Sequence, residues 1–330
     1  MVLITGITGL VGSFVAKRFI ESGHLVAGIR RSTSDMTLLS EIEDKIRWYE
    51  GDILDVLALE KAVQEATYVI HTAAIVSFAP RDRAAMFQTN IEGTANVVNA
   101  CLEHHIKKLC FISSIASLGR KNEDESLTST VITETSKWEE SPLNSNYAKT
   151  KFLAEMEVWR GESEGLDVVI VNPSIILGEA DWTKSSTQLF RYAFQEKAFY
   201  PTGDLNYVDV LDVAECVYQL TTSDIKGERF ILNAGSISYK SFLEKVATAF
   251  GKKAPSKLVS PFMASILWRI EAIRSRITGN APLLTKETAL SASHSFSYPN
   301  DKIKQTLRFE FKSIDESIKR ICAVLGKRYS

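Results

Sequence analysis

Over the first half of the chain, short runs of β-branched and apolar residues alternate with stretches whose apolar positions recur every three or four residues. Val2 to Thr5 predicts a strand. Leu10 to Ser22 predicts a helix, with Phe14, Val15, Arg18 and Phe19 at helical spacing and Gly23 as its stop. His24 to Arg30 and Lys45 to Glu50 predict two more strands, and Asp55 is placed to cap a helix from Val56 to Glu65. Tyr68 to Ala74 is a fourth strand, followed by a helix over Asn90 to His104 and a fifth strand over Leu109 to Ser113. A helix through Tyr147 to Ser163 stops at Gly165, and Asp167 to Asn172 is a sixth strand running into Pro173. This alternation predicts an α/β fold built on a doubly wound parallel sheet.

The alternation lapses after Gly178 and returns with a helix over Val210 to Thr221 and a strand over Arg229 to Asn233. From Ser238 onward the pattern is largely helical. The expected division is therefore a sheet domain of residues 1–177 and 205–235, and a smaller, mostly helical substrate domain of residues 178–204 and 236–330. Aromatic residues from Trp182 to Tyr200, and an apolar run from Leu258 to Trp268, are candidates for a substrate-covering surface or for ordinary core. The polar segment from Gly119 to Asn144 predicts an irregular excursion.

A net charge of -1 gives no basic excess, so nucleic acid and anionic membrane are not indicated as partners. A small-molecule substrate is. Cys101, Cys110, Cys216 and Cys322 lack CxxC spacing and fit reduced, buried thiols, which points to the cytoplasm, as does the lack of a signal-peptide pattern or an apolar run long enough to span a bilayer. The five histidines show no metal-ligand spacing, so no metal is expected.

Gly6, Gly9 and Gly12 stand between the first strand and the first helix, where a dinucleotide pyrophosphate would meet the backbone and the helix N-terminus. Gly6, Thr8, Gly9, Leu10, Val11 and Gly12 are thus candidate cofactor residues of a Rossmann-type loop. An acidic residue at the end of the second strand would select NAD; Arg30 and Arg31 stand there instead and favour a 2'-phosphate, hence NADP, with NAD the alternative and a solvated arginine pair the plainer one. Asp52, beside Ile53, is placed either to accept from an adenine amino group or to turn the chain. Ala73 and Ala74 offer close approach at the end of the fourth strand, while His71 reads as a packed strand residue.

Tyr147 and Lys151 are one helical turn apart and share a face. Ser114 follows the fifth strand, so the three side chains can meet at the sheet's carboxyl edge. Together they suit proton transfer to a carbonyl or from an alcohol, with a neighbouring ammonium expected to lower the tyrosine pKa and serine binding the same oxygen.

The segments TGITGLVG (5–12), GD (51–52), HTAA (71–74), NIEGT (90–94), SSIASLG (113–119), YAKTK (147–151), VNPSIILG (171–178) and YVDVLDVAE (207–215) resemble the extended short-chain dehydrogenase/reductases, and IRR (29–31), VIHTAA (69–74) and PLLTKETAL (282–290) look most like its dihydroflavonol-reductase-like and 3β-hydroxysteroid-dehydrogenase-like branch. The resemblance implies Tyr147 as acid/base, Lys151 as ribose-binding partner, Ser114 as third member, and the Pro173, Ser174 and Ile175 backbone beside the nicotinamide. It also implies a structural role for Asn90 and a homodimer built partly on the Asn90 and Tyr147 helices. Two departures stand out: Glu179 replaces a proline common after Gly178, and residues 120–144 carry no motif. The leading expectation is an NADP(H)-dependent reductase of ketones or aldehydes. A nucleotide-sugar epimerase or dehydratase retaining NAD is the alternative, and a non-catalytic NADP-binding sensor the third.

Overall fold

β1 (Val2–Thr5), with all four residues buried, turns through glycines into α1 (Leu10–Glu21). β2 (Val26–Arg30), β3 (Ile46–Glu50), α2 (Val56–Val63) and β4 (Tyr68–His71) follow. Asp55 caps α2, accepting from the Ala58 amide at 3.1 Å. α3 (Arg83–Phe87) passes through a π-type turn at Gln88–Glu92 into α4 (Gly93–Glu103), so the helix expected from Asn90 begins earlier and Asn90 lies in the widened turn. Next come β5 (Lys108–Ile112), β6 (Thr130–Val131), α5 (Asn146–Ser163), β7 (Val168–Pro173) and β8 (Ile175–Leu177). α6 (Thr187–Phe194), β9 (Phe199–Tyr200), β10 (Asp204–Asp209), α7 (Val210–Thr222), β11 (Glu228–Leu232), β12 (Gly235–Ser238) and α8 (Tyr239–Ala249) continue the chain. β13 (Lys257–Leu258), β14 (Phe296–Ser297), α9 (Asp301–Leu307) and α10 (Ile314–Tyr329) complete it. This computed structural model describes residues 1–120, 130–183, 186–259 and 296–329; the expected apolar run from residue 260 on, and the 282–290 segment, lie outside them.

Seven strands pair in the order β11-β7-β5-β4-β1-β2-β3, all parallel. Strand order reverses between β1 and β4, which opens a crevice at their carboxyl ends. Both faces are covered. Val2 and Ile4 pack with Phe14, Phe19, Val213 and Val217, on the side of α1 and α7, while Leu3 packs with Leu59, Val98, Phe111 and Val158. Burial on both faces is why the Val2–Ile4 part of β1 and the Val168–Val171 part of β7 are unbroken apolar runs rather than alternating ones.

A second core joins Leu177, Phe190, Leu205, Phe242, Val246 and Ile321, where the three-stranded sheet β12-β10-β8 meets α6, α8 and α10. Phe190 meets Phe242 edge-on, Trp182 stacks on Tyr329 at 3.8 Å, and Phe194 meets Phe250 edge-on. Of the two readings of the aromatic stretch, Trp182, Phe190 and Phe194 follow the core one, packing on Tyr329, Phe242 and Phe250: a small unit gains much of its buried area from large rings.

Arg320 on α10 donates to the buried carboxylate of Asp209 at 2.9 Å and pairs with Glu179. Lys312 pairs with buried Asp212 at 2.7 Å. Glu179, where the resemblance expects proline, thus helps anchor the last helix. The four cysteines are free and buried. Among the described residues, no helix is long and apolar enough to cross a membrane, and no cluster of His, Cys, Asp or Glu is arranged to hold a metal ion.

Candidate active site

The glycine loop leaves β1 with Gly6 at φ +66, a left-handed conformation that favours glycine. A Cβ on Gly6 would lie 2.6 Å from the Ala73 backbone, and one on Gly12 only 2.4 Å from the Gly6 carbonyl oxygen. The loop is closed by the Gly9 amide donating to Gly6 O at 3.0 Å, and α1 then starts at Leu10 with no side-chain cap. Thr8, Leu10 and Val11 are half-buried around this turn, Gly9 is exposed, and Ala73 and Ala74 are half-buried across the crevice. A helix N-terminus whose orphan amides face a crevice is suited to an anion.

Arg30 ends β2 with its guanidinium 5.3 Å from the Trp48 ring, whose Nε1 donates to the Glu43 carbonyl at 3.0 Å. Arg30 Nε is buried and has no hydrogen-bond partner. Arg31 is exposed and reaches Asp52 at 3.8 Å, while Asp52 Oδ1 accepts from the Leu54 amide at 3.1 Å. In this structure Asp52 serves as a turn residue. Ile53 is buried against Gly93, where a Cβ would lie 2.5 Å from its Cδ1, so its side chain packs the loop onto α4.

Beyond β5, Ser114 is extended, and its Oγ accepts from the Ala116 amide at 3.2 Å. Ser145 caps α5 through the Ala148 amide at 3.0 Å, which places Tyr147 in the first turn. The Tyr147 phenol lies within interaction range of the Ser114 side chain. Burial pushes the Tyr147 phenol up to about 12, with the Ser114 side chain opposing it. The expected lowering by Lys151 is not seen. Lys151 is 2% exposed, and its Nζ donates instead to Ile112 O at 2.8 Å and lies 4.2 Å over the Phe111 ring. Burial pushes this ammonium down to about 7, with the Glu155 carboxylate opposing.

His71 lies beneath, fully buried. The Thr94 hydroxyl donates to Asn90 O at 2.6 Å, so it accepts from His71 Nε2 at 3.0 Å, and Nδ1 accepts from Thr5 at 2.7 Å. Burial, helped by the Lys151 charge, pushes the imidazole down to about 3 and keeps it neutral. Asn90 Oδ1 accepts from the Ile75 amide at 2.7 Å, while its Nδ2 donates to Ile75 O and to Thr150 Oγ1, both at 3.0 Å. It thereby ties the loop after β4 to α5. Pro173 and Ser174 are buried at the end of β7, where the Ser174 amide donates to Leu232 O at 3.0 Å, and half-buried Ile175 opens β8.

Reasoning from the sequence misses a buried polar layer under these groups. Asn172 Nδ2 donates to Glu155 Oε1 at 2.6 Å, to Ser117 Oγ at 3.0 Å and to Ser114 O at 3.1 Å. Arg229 reaches Glu155 Oε2 at 3.2 Å. The one sequence signal is that Glu155 continues the Tyr147 and Lys151 stripe by another turn.

The sequence profile of the NAD dependent epimerase/dehydratase family matches residues 2–235. A protein of Synechocystis sp. provisionally named dihydroflavonol 4-reductase is 28% identical over 326 residues, covering 96% of this chain and 91% of that protein. Cinnamoyl-CoA reductase 1 of Petunia hybrida is 27% identical, covering 77% of this chain and 78% of that one. The crystal structure of gox2253 superposes with a TM-score of 0.83 at 28% identity, covering 100% of this chain and 98% of that chain. UDP-glucose 4-epimerase of Thermotoga maritima shares the fold, with a TM-score of 0.80 at 19% identity over 100% of this chain and 99% of that one. With the family profile spanning the parallel sheet, and relatives along nearly the whole chain, the protein belongs to the NAD dependent epimerase/dehydratase family as an extended short-chain dehydrogenase/reductase.

Proposed function

We propose that this protein is an NADP(H)-dependent reductase of a ketone or aldehyde, with Tyr147 as general acid, Ser114 binding the reacting oxygen, and Lys151 supporting both. The observation that carries this reading is that Ser114 at the carboxyl edge of β5, Tyr147 in the first turn of α5 and the buried Lys151 ammonium on the Ile112 carbonyl are brought to one place. The dinucleotide, when bound, supplies the hydride. The Tyr147 phenol is protonated at neutral pH, the state from which it can donate a proton to a carbonyl oxygen. The Ser114 hydroxyl would stabilise the charge developing on that oxygen. Phe78, 37% exposed, meets the Tyr147 ring edge-on at 6.1 Å, and Val76 beside it is 58% exposed. This apolar surface favours a substrate with an apolar body next to its carbonyl. The relatives named as reductases support the same direction.

Fit of the dinucleotide rests on the glycine cradle, where no Cβ has room at Gly6 or Gly12, and on the buried, unpartnered Nε of Arg30. The guanidinium suits a 2'-phosphate, with Arg31 alongside, and so favours NADP over NAD. Arg30→Ser is expected to lower kcat/KM for NADPH by about 10- to 100-fold, the worth of one charged hydrogen bond, while leaving NADH almost unchanged. Steady-state kinetics with both cofactors checks this; equal losses would remove Arg30 from the selectivity argument.

Following NADPH oxidation against ketones and aldehydes of increasing apolar size tests the whole reading. Turnover that grows with apolar size supports it. NAD copurifying at full occupancy, with no net oxidation on any carbonyl, would favour an epimerase or dehydratase.

A further inference from the structure

Glu155 is fully buried, yet the acid/base chemistry above assigns it no task. It stands one helical turn beyond Lys151 on α5, and its polar contacts lead back toward the site. Oε1 accepts from Ser117 Oγ at 2.5 Å and from Asn172 Nδ2 at 2.6 Å. These two side chains also meet the Ser114 carbonyl: Asn172 donates to it at 3.1 Å, and the Ser117 hydroxyl, 2.7 Å away, shares its one proton between this carbonyl and Oε1. Oε2 faces Arg229, whose other nitrogens donate to Glu134 O at 2.6 Å and Ser136 O at 3.0 Å. A carboxyl group with this set of donors is held in one place.

We propose that Glu155 is a positioning residue of the candidate site: clamped by Arg229, its carboxylate fixes the Ser114 loop through Ser117 and Asn172 and holds the proton on Lys151. The need for such a group follows from the Lys151 environment. Its ammonium donates to the Ile112 carbonyl and faces the Phe111 ring, neither of which carries a formal charge. The titratable groups around it are Tyr147 and Glu155 on its own helix and His71 on β4, with Arg229 on β11 behind Glu155. Of these only Glu155 brings negative charge, since His71 is neutral and Tyr147 protonated. Burial alone would drive the proton off; the carboxylate one turn away opposes this.

The inference rests on the reading of Lys151 as part of the reductase site, so its test includes a readout that needs no turnover. Glu155→Gln keeps an acceptor for Ser117 and Asn172 but removes the charge. Glu155→Gln with Arg229→Gln also removes the guanidinium that the single variant leaves unpaired. Lysines labelled with 13C at the ε position are titrated by NMR, Lys151 being the resonance absent from Lys151→Met. In both variants its midpoint is expected to fall by about half a pH unit or more. The descending limb of kcat/KM against pH for carbonyl reduction, which reports free-enzyme groups, should move down with it.

A role confined to packing would lower the whole profile without moving its midpoint. Folded variants whose Lys151 midpoint matches wild type would overturn the proposal, and so would failure of both variants to fold, which would make Glu155 purely structural. A Lys151 midpoint that moves in an enzyme reducing no carbonyl would instead contradict the proposed function and leave the positioning role standing.

Discussion

Tyr147→Phe should reduce carbonyl turnover by about 10²- to 10⁴-fold, the usual worth of a positioned general acid, while leaving the fold and dinucleotide affinity nearly unchanged. The substitution removes one oxygen. Its ring can still meet Phe78 edge-on, and the cap of α5 depends on Ser145, not on the phenol. The deleted hydroxyl removes its interaction with Ser114, a change of about 1 kcal/mol or less in stability. The pair of measurements is steady-state kcat with cofactor titration by fluorescence quenching. A loss confined to kcat identifies the phenol as the acid. Equal kcat in variant and wild type would mean that the proton comes from elsewhere, and loss of cofactor affinity alone would make Tyr147 a binding residue.

Lys151→Met should abolish activity yet make the protein more stable. The folded ammonium sits at about 7, against about 10.5 in the unfolded chain, because it is buried. Between these values the unfolded state binds more protons, so stability of the wild type rises as pH goes from about 7 to about 10.5. At pH 7 and below, the penalty for the buried charge is present in full. Methionine of similar length removes that penalty and leaves the Ile112 carbonyl without this donor, a smaller cost of about 1 kcal/mol. The net gain near pH 7 should be about 1–4 kcal/mol, the range seen when buried charged groups give way to apolar ones. Urea denaturation at pH 6.5 and pH 9.5, values chosen to bracket roughly the lower part of this window, should show a variant that is more stable at the lower pH and has lost the wild-type rise. A destabilised variant at both pH values would mean that Lys151 serves the fold rather than costing it stability. Stability given up at a reactive centre is a common exchange.

Much of the parallel sheet is legible in the sequence, and the reasons are local. Val2 to Thr5 and Lys108 to Ile112 are buried on both faces, so their composition alone marks them as central strands, while Gly23 and Gly165 stop helices that precede other strands. Where the expectations slip, a tertiary contact intervenes. The strand expected to reach Ala74 ends at His71, because the Thr72 hydroxyl donates to Thr5 O at 2.7 Å and the next residues turn toward Asn90. The start of the Asn90 helix moves because that residue is recruited to hold Ile75.

The same division runs through the candidate site. Gly6, Gly12, Ser114, Tyr147 and Lys151 are visible because their spacing relative to strands and helices is itself the signal. Glu155 and Arg229 are invisible because they meet across 74 residues, and no local pattern announces an ion pair at that separation. The direction of the Tyr147 shift escapes the sequence for a related reason. Helical spacing shows that Tyr147 and Lys151 share a face, but not that the ammonium turns away to the Ile112 carbonyl.

Incubation of the enzyme with NADPH deuterated at C4 of the nicotinamide and an apolar ketone, followed by mass spectrometry of the product, addresses the proposed chemistry most directly. One deuterium on the carbinol carbon, with one dinucleotide oxidised per alcohol formed, is the predicted result. Product that is rearranged or epimerised, carries no deuterium, and leaves the dinucleotide bound and unchanged in net oxidation state would contradict it.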